Sequence, residues 1–252
     1  MKWRTAISKA DDKGNTIRGY DLQELIGNLT FGEAIYMILK GELPKGNEGK
    51  MMDAVLVSCI EHSIAPPSVM SARVAVSSGN PINVGMAAGV LSIGEHHGGA
   101  VEQAAKIMQE NAGRSAEEVV REQKEKGIRI AGYGHKVYTT DPRTQELFSL
   151  ARKYGVYGKH CSFAEELEKA LEKSSGRRLC LNIDGAIAAI MSDMELDWRL
   201  GKGIFTIGRS AGILAHVHEE VTREKPFRRL EEAEVEYDGP EKRELPDNYK
   251  RK

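Results

Sequence analysis

Four short segments of this chain combine glycine, histidine, carboxylate and arginine more densely than a helical core requires. The first, Gly94-Glu95-His96-His97-Gly98-Gly99-Ala100, runs into an amphipathic stretch at about 100–111. Glycines at a helix entrance let a ligand approach free backbone N–H groups, whose dipole favours developing negative charge. A histidine placed there tends to be neutral and can donate a hydrogen bond to an oxyanion, although the same residues also suit a flexible turn with surface imidazoles. The second is Gly132-Tyr133-Gly134-His135, followed by Asp141-Pro142-Arg143. It lacks the third glycine and the preceding strand of a nucleotide loop. It reads instead as a loop presenting His135 and a helix start projecting Arg143, whose guanidinium can take a carboxylate in two prongs or serve as an ordinary surface residue.

The third segment places Asp184 inside the apolar run Leu-Cys-Leu-Asn-Ile-Asp-Gly-Ala at 179–186. Burial of an aspartate is costly unless it is bonded or functional, and desolvation raises its pKa toward that of a useful general base. It can equally cap the helix that follows. In the fourth, Arg209 interrupts the apolar stretch 203–217, and a buried arginine needs an acid from the protein or from a substrate. His216 and His218 spell an HxH pair, but on a helix they point about 200° apart and cannot chelate one ion together. Arg177 and Arg178 suit either a solvated face or phosphate contacts. No Walker loop, GxSxG elbow or HExxH motif is present.

The elements that must hold these residues are helices. Between Pro81 and Pro226 the only proline is Pro142. Thr30 with Glu33, Ser115 with Glu118 and Ser162 with Glu165 form capping-box patterns, and Asp141-Pro142 is a fourth start signal. With Gly41, Gly127, Gly155 and Gly176 as stops, they predict helices at 31–40, 116–126, 142–154 and 163–175. Leu147, Leu150, Ala151 and Tyr154 share one helical face, as do Leu167, Ala170 and Leu171. Residues 84–93 are apolar nearly all round and predict a fully buried helix. Another buried helix is expected at 205–222, with Phe205, Leu214 and Val217 inward. Strand-like stretches are confined to 2–7 and 14–18. The fold class is therefore mainly all-α.

Composition narrows the function. Lys and Arg number 36 against 37 Asp and Glu, a net charge of −1, which argues against a nucleic-acid partner. No run of about 18 apolar residues predicts a membrane span, and the first 15 residues lack the apolar stretch of a signal peptide. Cys59, Cys161 and Cys180 are odd in number with no CxxC, which fits reduced cytoplasmic thiols rather than a disulfide framework. From 231 to 252, 13 of 22 residues are charged and five apolar, so this tail is expected to be solvated or laid over a neighbouring subunit.

Taken in order, HGGA (97–100), GYGH (132–135) with DPR (141–143), and NID (182–184) resemble the motifs of the citrate synthase superfamily. The agreement extends to residues 18–44, 61–73 and 205–216, and covers about 16–240. In length, and in NIDGAIAAIMSDM and GIFTIGRSAGILAHVHEE, the chain is most similar to the compact citryl-CoA lyase branch and to the C-terminal lyase module of ATP citrate lyase. That module lacks a histidine before its GGA, whereas His97 is present here as in the synthases. Two further positions depart from the family pattern: Thr139 stands where an arginine is common, and Lys225-Pro226 where synthases bring an Arg-Pro from the other subunit.

The resemblance implies a citrate synthase-like catalytic unit over 1–250. Large-domain helices would span about 1–105 and 200–230, a small domain about 106–199, and a polar tail 231–252. It implies catalytic roles for His97, His135 and Asp184, substrate carboxylate contacts from His62, Arg143 and Arg209, and coenzyme A contacts at Gly132, Gly134, Lys136 and Arg177. No metal and no permanently bound cofactor is implied; coenzyme A enters as a thioester substrate. The implied reaction is reversible cleavage of citryl-CoA to acetyl-CoA and oxaloacetate by a homodimer or homotetramer, and whether a citryl-CoA synthetase works beside it stays open. The alternatives are a citrate synthase and a non-catalytic, coenzyme A-binding scaffold.

Overall fold

The computed structural model describes residues 2–12, 14–135 and 139–251; Lys136 lies outside them. A small antiparallel sheet of β1 (Ser8–Asp11), β2 (Gly14–Ile17) and β3 (Tyr20–Asp21) precedes eleven α-helices among the described residues. The helices are α1 (Leu22–Asn28), α2 (Phe31–Lys40), α3 (Glu48–Ser58), α4 (Pro67–Ser77), α5 (Ile82–Leu91), α6 (Ala100–Asn111), α7 (Ala116–Glu125), α8 (Pro142–Tyr154), α9 (Lys159–Ser175), α10 (Ile183–Asp193) and α11 (Gly201–Arg223). The mainly all-α expectation holds. The first strand lies later than the expected 2–7, because the ladder pairs Asp11 with Gly14 and closes at Ser8 with Ile17. None of the described helices is long and apolar enough to cross a membrane.

Local caps set most helix ends. Thr30 Oγ1 accepts from Glu33 N while Glu33 answers to Thr30 N, and Gly41 closes α2 in the left-handed conformation. Asp141 caps α8, with Pro142 at its first position and Gly155 left-handed at its end. Helix α9 departs from expectation. It starts at Lys159, a turn before the Ser162–Glu165 pair, because the Asp193 carboxylate accepts from Gly158 N, His160 N and Cys161 N at 2.8, 2.9 and 3.0 Å. Glu165 is drawn instead to Arg152 and Tyr157.

Helix α10 is the axis of the main core, with Ile187, Ile190 and Met191 fully buried against Val101, Ala105 and Met108 of α6. Full burial of each such aliphatic side chain is worth about 1.5–3 kcal/mol. A second cluster, Ala72 and Val76 of α4 with Ile213 and Val217 of α11, receives α5 through Gly85 and Gly89. The expected full burial of 84–93 does not hold: Leu91 is 85% exposed and Val84 39%, because only the glycine side of α5 meets α4 and α11. Leu214 is also turned outward, one residue beyond the buried face of α11 that Phe205, Arg209, Ile213 and Val217 define. Residues 225–251 are exposed throughout.

Candidate active site

Two backbone segments cross at the mouth of α10. Gly134 N donates to Cys180 O at 2.7 Å, Asn182 N donates to Gly132 O at 3.0 Å, and Tyr133 bridges Leu181. Gly132 has φ +86° and passes so close to α10 that a Cβ would lie 2.7 Å from Gly185 Cα. Glycine is required there by both conformation and space. Asn182 locks the crossing: its Nδ2 donates to Gly134 O, and its Oδ1 accepts from Asp184 N and Gly185 N. His135 therefore leaves the loop beside the first turn of α10, which carries Asp184.

Asp141 joins this corner to α8. Its buried carboxylate accepts from Arg143 Nε at 3.0 Å, from Arg143 Nη2 at 2.8 Å and from Ile183 N at 3.2 Å. These partners outweigh its desolvation and hold its carboxyl below the usual carboxylate range. One acid thus ties the Arg143 guanidinium to the N-terminus of α10.

The other side of the site comes from α11. Arg209 is buried, donates from Nε to Cys59 O at 2.8 Å, and stacks near the Phe205 ring at 5.1 Å. It has no ion pair among the described residues, and its Nη1 is buried without a hydrogen-bond partner. Burial lowers its pKa, while the Glu61 and Asp184 carboxylates act on it electrostatically to raise it again, and a buried charged donor is costly unless such partners compensate it. His97 meets the edge of Phe205, with ring centroids 5.9 Å apart, and its Nε2 lies 2.8 Å from Oγ of the fully buried Ser68. The tautomer sets the direction of this bond: the serine hydroxyl donates when the imidazole proton is on Nδ1, and accepts when it is on Nε2.

Electrostatics links the two sides. Burial raises the Asp184 carboxyl above its ordinary value; Arg143 and Arg209 pull it back down and Asp141 adds to the rise. Burial lowers His97, and the Arg209 charge lowers it further. His62 is lowered by desolvation and then by Arg143, Arg209 and His135. Arg209 is therefore the charge felt in common by His97, His62 and Asp184, and His135 is within reach of His62. These residues, expected from separate motifs, converge on one corner of the fold.

Other expected contacts are less closely tied to it. Gly132 and Gly134 act in the backbone crossing. Arg177 is exposed in the turn after α9, and its neighbour Arg178 donates to Thr140 Oγ1 at 3.1 Å. A cavity of about 310 Å³ flanks the 128–133 segment, lined by Ile128, Ile130, Tyr133, Leu171 and Leu179 among others. Ser68 and Asp141 were not singled out as functional by sequence reasoning. A serine at a helix start and an aspartate before proline both look like ordinary caps, and only their long-range partners mark them.

The family model described as citrate synthase, C-terminal domain, matches residues 45–230. The solved citryl-CoA lyase from Hydrogenobacter thermophilus is 52% identical, with a TM-score of 0.94 over 98% of each chain. ATP citrate lyase from Methanothrix soehngenii, solved with citrate and coenzyme A, is 26% identical with a TM-score of 0.85, over 96% of this chain and 42% of that one. The ATP-citrate synthase beta chain protein 1 of Arabidopsis thaliana is 26% identical over 231 residues, 84% of this chain. The chain spans about a third, 36%, of that plant relative's length.

Proposed function

Because the chain belongs to the citrate synthase family, we propose that it is a citryl-CoA lyase, cleaving citryl-CoA to acetyl-CoA and oxaloacetate in a reversible reaction. The likeness along 98% of both chains to the Hydrogenobacter citryl-CoA lyase supports this assignment. The observation in the site that carries it is the buried, unpaired Nη1 of Arg209, in electrostatic reach of an Asp184 carboxyl that burial has raised. A carboxylate-rich substrate supplies the missing partner for the first and a proton-transfer task for the second.

In the cleavage direction His135 takes the proton of the tertiary hydroxyl. The hydroxyl oxygen becomes the carbonyl of oxaloacetate, and the electron pair of the broken carbon–carbon bond passes to the departing acetyl unit as its enol or enolate. Asp184 delivers a proton to that carbon, and in reverse removes one from acetyl-CoA. His97 donates to the thioester oxygen on which charge develops; a preplaced donor of this kind lowers the barrier by roughly 3 kcal/mol. A neutral imidazole suits the role, and burial with the Arg209 charge keeps His97 neutral. His62, Arg143 and Arg209 hold the carboxylates. Gly132, Gly134, Lys136 and Arg177 are the positions proposed to contact coenzyme A.

This reading includes a large domain of about 1–105 and 200–230 and a small domain of about 106–199, with the site between them. It takes the protein as a cytoplasmic homo-oligomer in tricarboxylic acid cycle metabolism. Citrate synthase is the second reading, favoured by one observation: His97 is present and held by Ser68. Incubating purified protein with citryl-CoA tests both. Oxaloacetate with acetyl-CoA is the expected product pair; citrate with free coenzyme A would establish the synthase, and no turnover would overturn both.

A further inference from the structure

His62 sits within the irregular segment between α3 and α4, and the residues ahead of it are each held by α11. Cys59 O accepts from Arg209 Nε at 2.8 Å. A Cβ on Gly212 would fall 2.2 Å from Ile60 O and 2.5 Å from Glu61 Oε2, so the segment lies directly on the helix backbone there. His216 Nε2 lies 3.1 Å from Glu61 Oε1, and the same oxygen accepts the His62 N–H at 2.8 Å. Arg209, Gly212 and His216 recur at i, i+3 and i+7, one face of an α-helix. Three successive residues, 59 to 61, are thus matched to three successive steps of α11. Immediately after His62, Ser63 has φ +67°, a left-handed conformation that a non-glycine residue keeps only when its surroundings hold it.

We propose that Gly212 and the Glu61–His216 pair are positioning residues: they fix the register of segment 59–63 on α11 and so aim His62 at the substrate carboxylates. The inference rests on the functional reading above and extends it beyond the groups that touch substrate. The Glu61 side chain is 37% exposed and His216 16%. The pair is half-buried, and its contribution is the register it imposes on segment 59–63. A substrate contact misplaced by a fraction of an ångström binds its carboxylate less well, because the hydrogen bonds it makes lengthen.

The test uses Glu61→Ala, Glu61→Gln, His216→Ala and Gly212→Ala in the full chain. Steady-state citryl-CoA cleavage is measured alongside calorimetric binding of oxaloacetate, which needs no turnover. For Glu61→Ala and His216→Ala the expected result is a KM and an oxaloacetate Kd raised about fivefold or more, with kcat within about twofold; tenfold in affinity is the scale of one good polar contact. Glu61→Gln keeps the acceptor oxygen and should return both constants to near wild type. The double Ala variant should be no worse than the poorer single one. Gly212→Ala should raise KM in the same way, and if it fails to fold the other variants decide. Unchanged KM and Kd in both Ala variants, additive losses in the double variant, or a Gln variant as poor as Ala would overturn the positioning role. Wild-type protein that binds oxaloacetate without cleaving citryl-CoA would remove the functional reading while the Kd values still judge the pair. Wild-type protein that does neither overturns both.

Discussion

Asp184 carries opposite demands from folding and from chemistry. Its carboxyl is raised by burial, so the folded state prefers the protonated form more than the unfolded chain does. Between the ordinary carboxylate value and the raised one, the native state binds more protons, and stability falls as pH rises through that window. Asp184→Asn removes the ionisable group while keeping its shape. At neutral pH the variant should therefore melt at a higher temperature than wild type, by about 2–4 °C for each kcal/mol relieved in a chain of this length. The gap should close as pH falls toward the ordinary aspartate range, where both states of the wild type are protonated. The same substitution should reduce citryl-CoA cleavage at least about a hundredfold, the usual scale for a lost acid–base group. Thermal melts across pH and product assays check the two halves separately. Ser68 makes a sharper probe of His97. Ser68→Ala leaves His97 Nε2 without its 2.8 Å partner, frees the ring to rotate, and should lower kcat about tenfold with KM little changed. Equal kcat in the two proteins would show that Phe205 alone orients the imidazole.

At the scale of elements, α9 and α10 hold each other in a way no local signal encodes. Asp193, at the C-terminal end of α10, satisfies three backbone donors at the start of α9 and also bonds His160 Nδ1 at 2.9 Å. Its desolvation is outweighed by His160 and Cys161, so its carboxyl lies below the ordinary range. The stability it contributes is present above the unfolded aspartate value and is lost as pH falls through the depressed one. Asp193→Ala should cost about 2–3 kcal/mol at neutral pH, as expected when several buried donors lose a charged acceptor. Urea melts at pH 7 and near pH 3 check this, with the difference between variant and wild type shrinking at the acid end. The contrast with α2 and α8 explains what could be read from sequence. Their caps come from residues within three positions of the helix start, so Thr30–Glu33 and Asp141-Pro142 announce both starts to the residue, as Gly41 and Gly155 do the two ends. The cap of α9 comes from 35 positions away, and the Ser162–Glu165 pattern stood in for it a turn too late. The candidate motifs were legible because glycine, histidine and carboxylate cluster without a core purpose. Glu61 and Ser68 were not, because their types are ordinary and their partners His216 and His97 lie on other elements, and of Asp141 only the cap was legible, its bond from Ile183 N being 42 positions away.

The whole molecule shows a mismatch between composition and burial. Helix α5 is apolar on nearly every side, yet a single chain buries only Gly85 and Gly89 of it. Met70 and Val74 of α4, Ile82, Val84 and Leu91 of α5, and Val221 of α11 remain 39–85% exposed on the three helices that pack together. Large exposed apolar patches often mark interaction surfaces, and six exposed aliphatic side chains on three packed helices support the proposed homo-oligomer in which a second copy covers them. Burial of aliphatic side chains contributes about 25 cal/mol per Å² removed from water, so the contact does not need charge to form. Sedimentation should therefore give a mass that is a multiple of the chain mass and insensitive to salt, since pairing through apolar surface is not screened. Val84→Lys and Leu91→Asp place charges on that surface while leaving the glycine side of α5 untouched. Each should shift the protein to the mass of one chain with its helical circular dichroism intact. The Glu61–His216 register and the Arg209 site lie on the same α11 that enters this three-helix face. Cleavage activity should therefore fall in the monomeric variants more than their helicity does. A monomeric wild type, or a Leu91→Asp variant that keeps the oligomer, would assign the apolar side of α5 to something other than self-association.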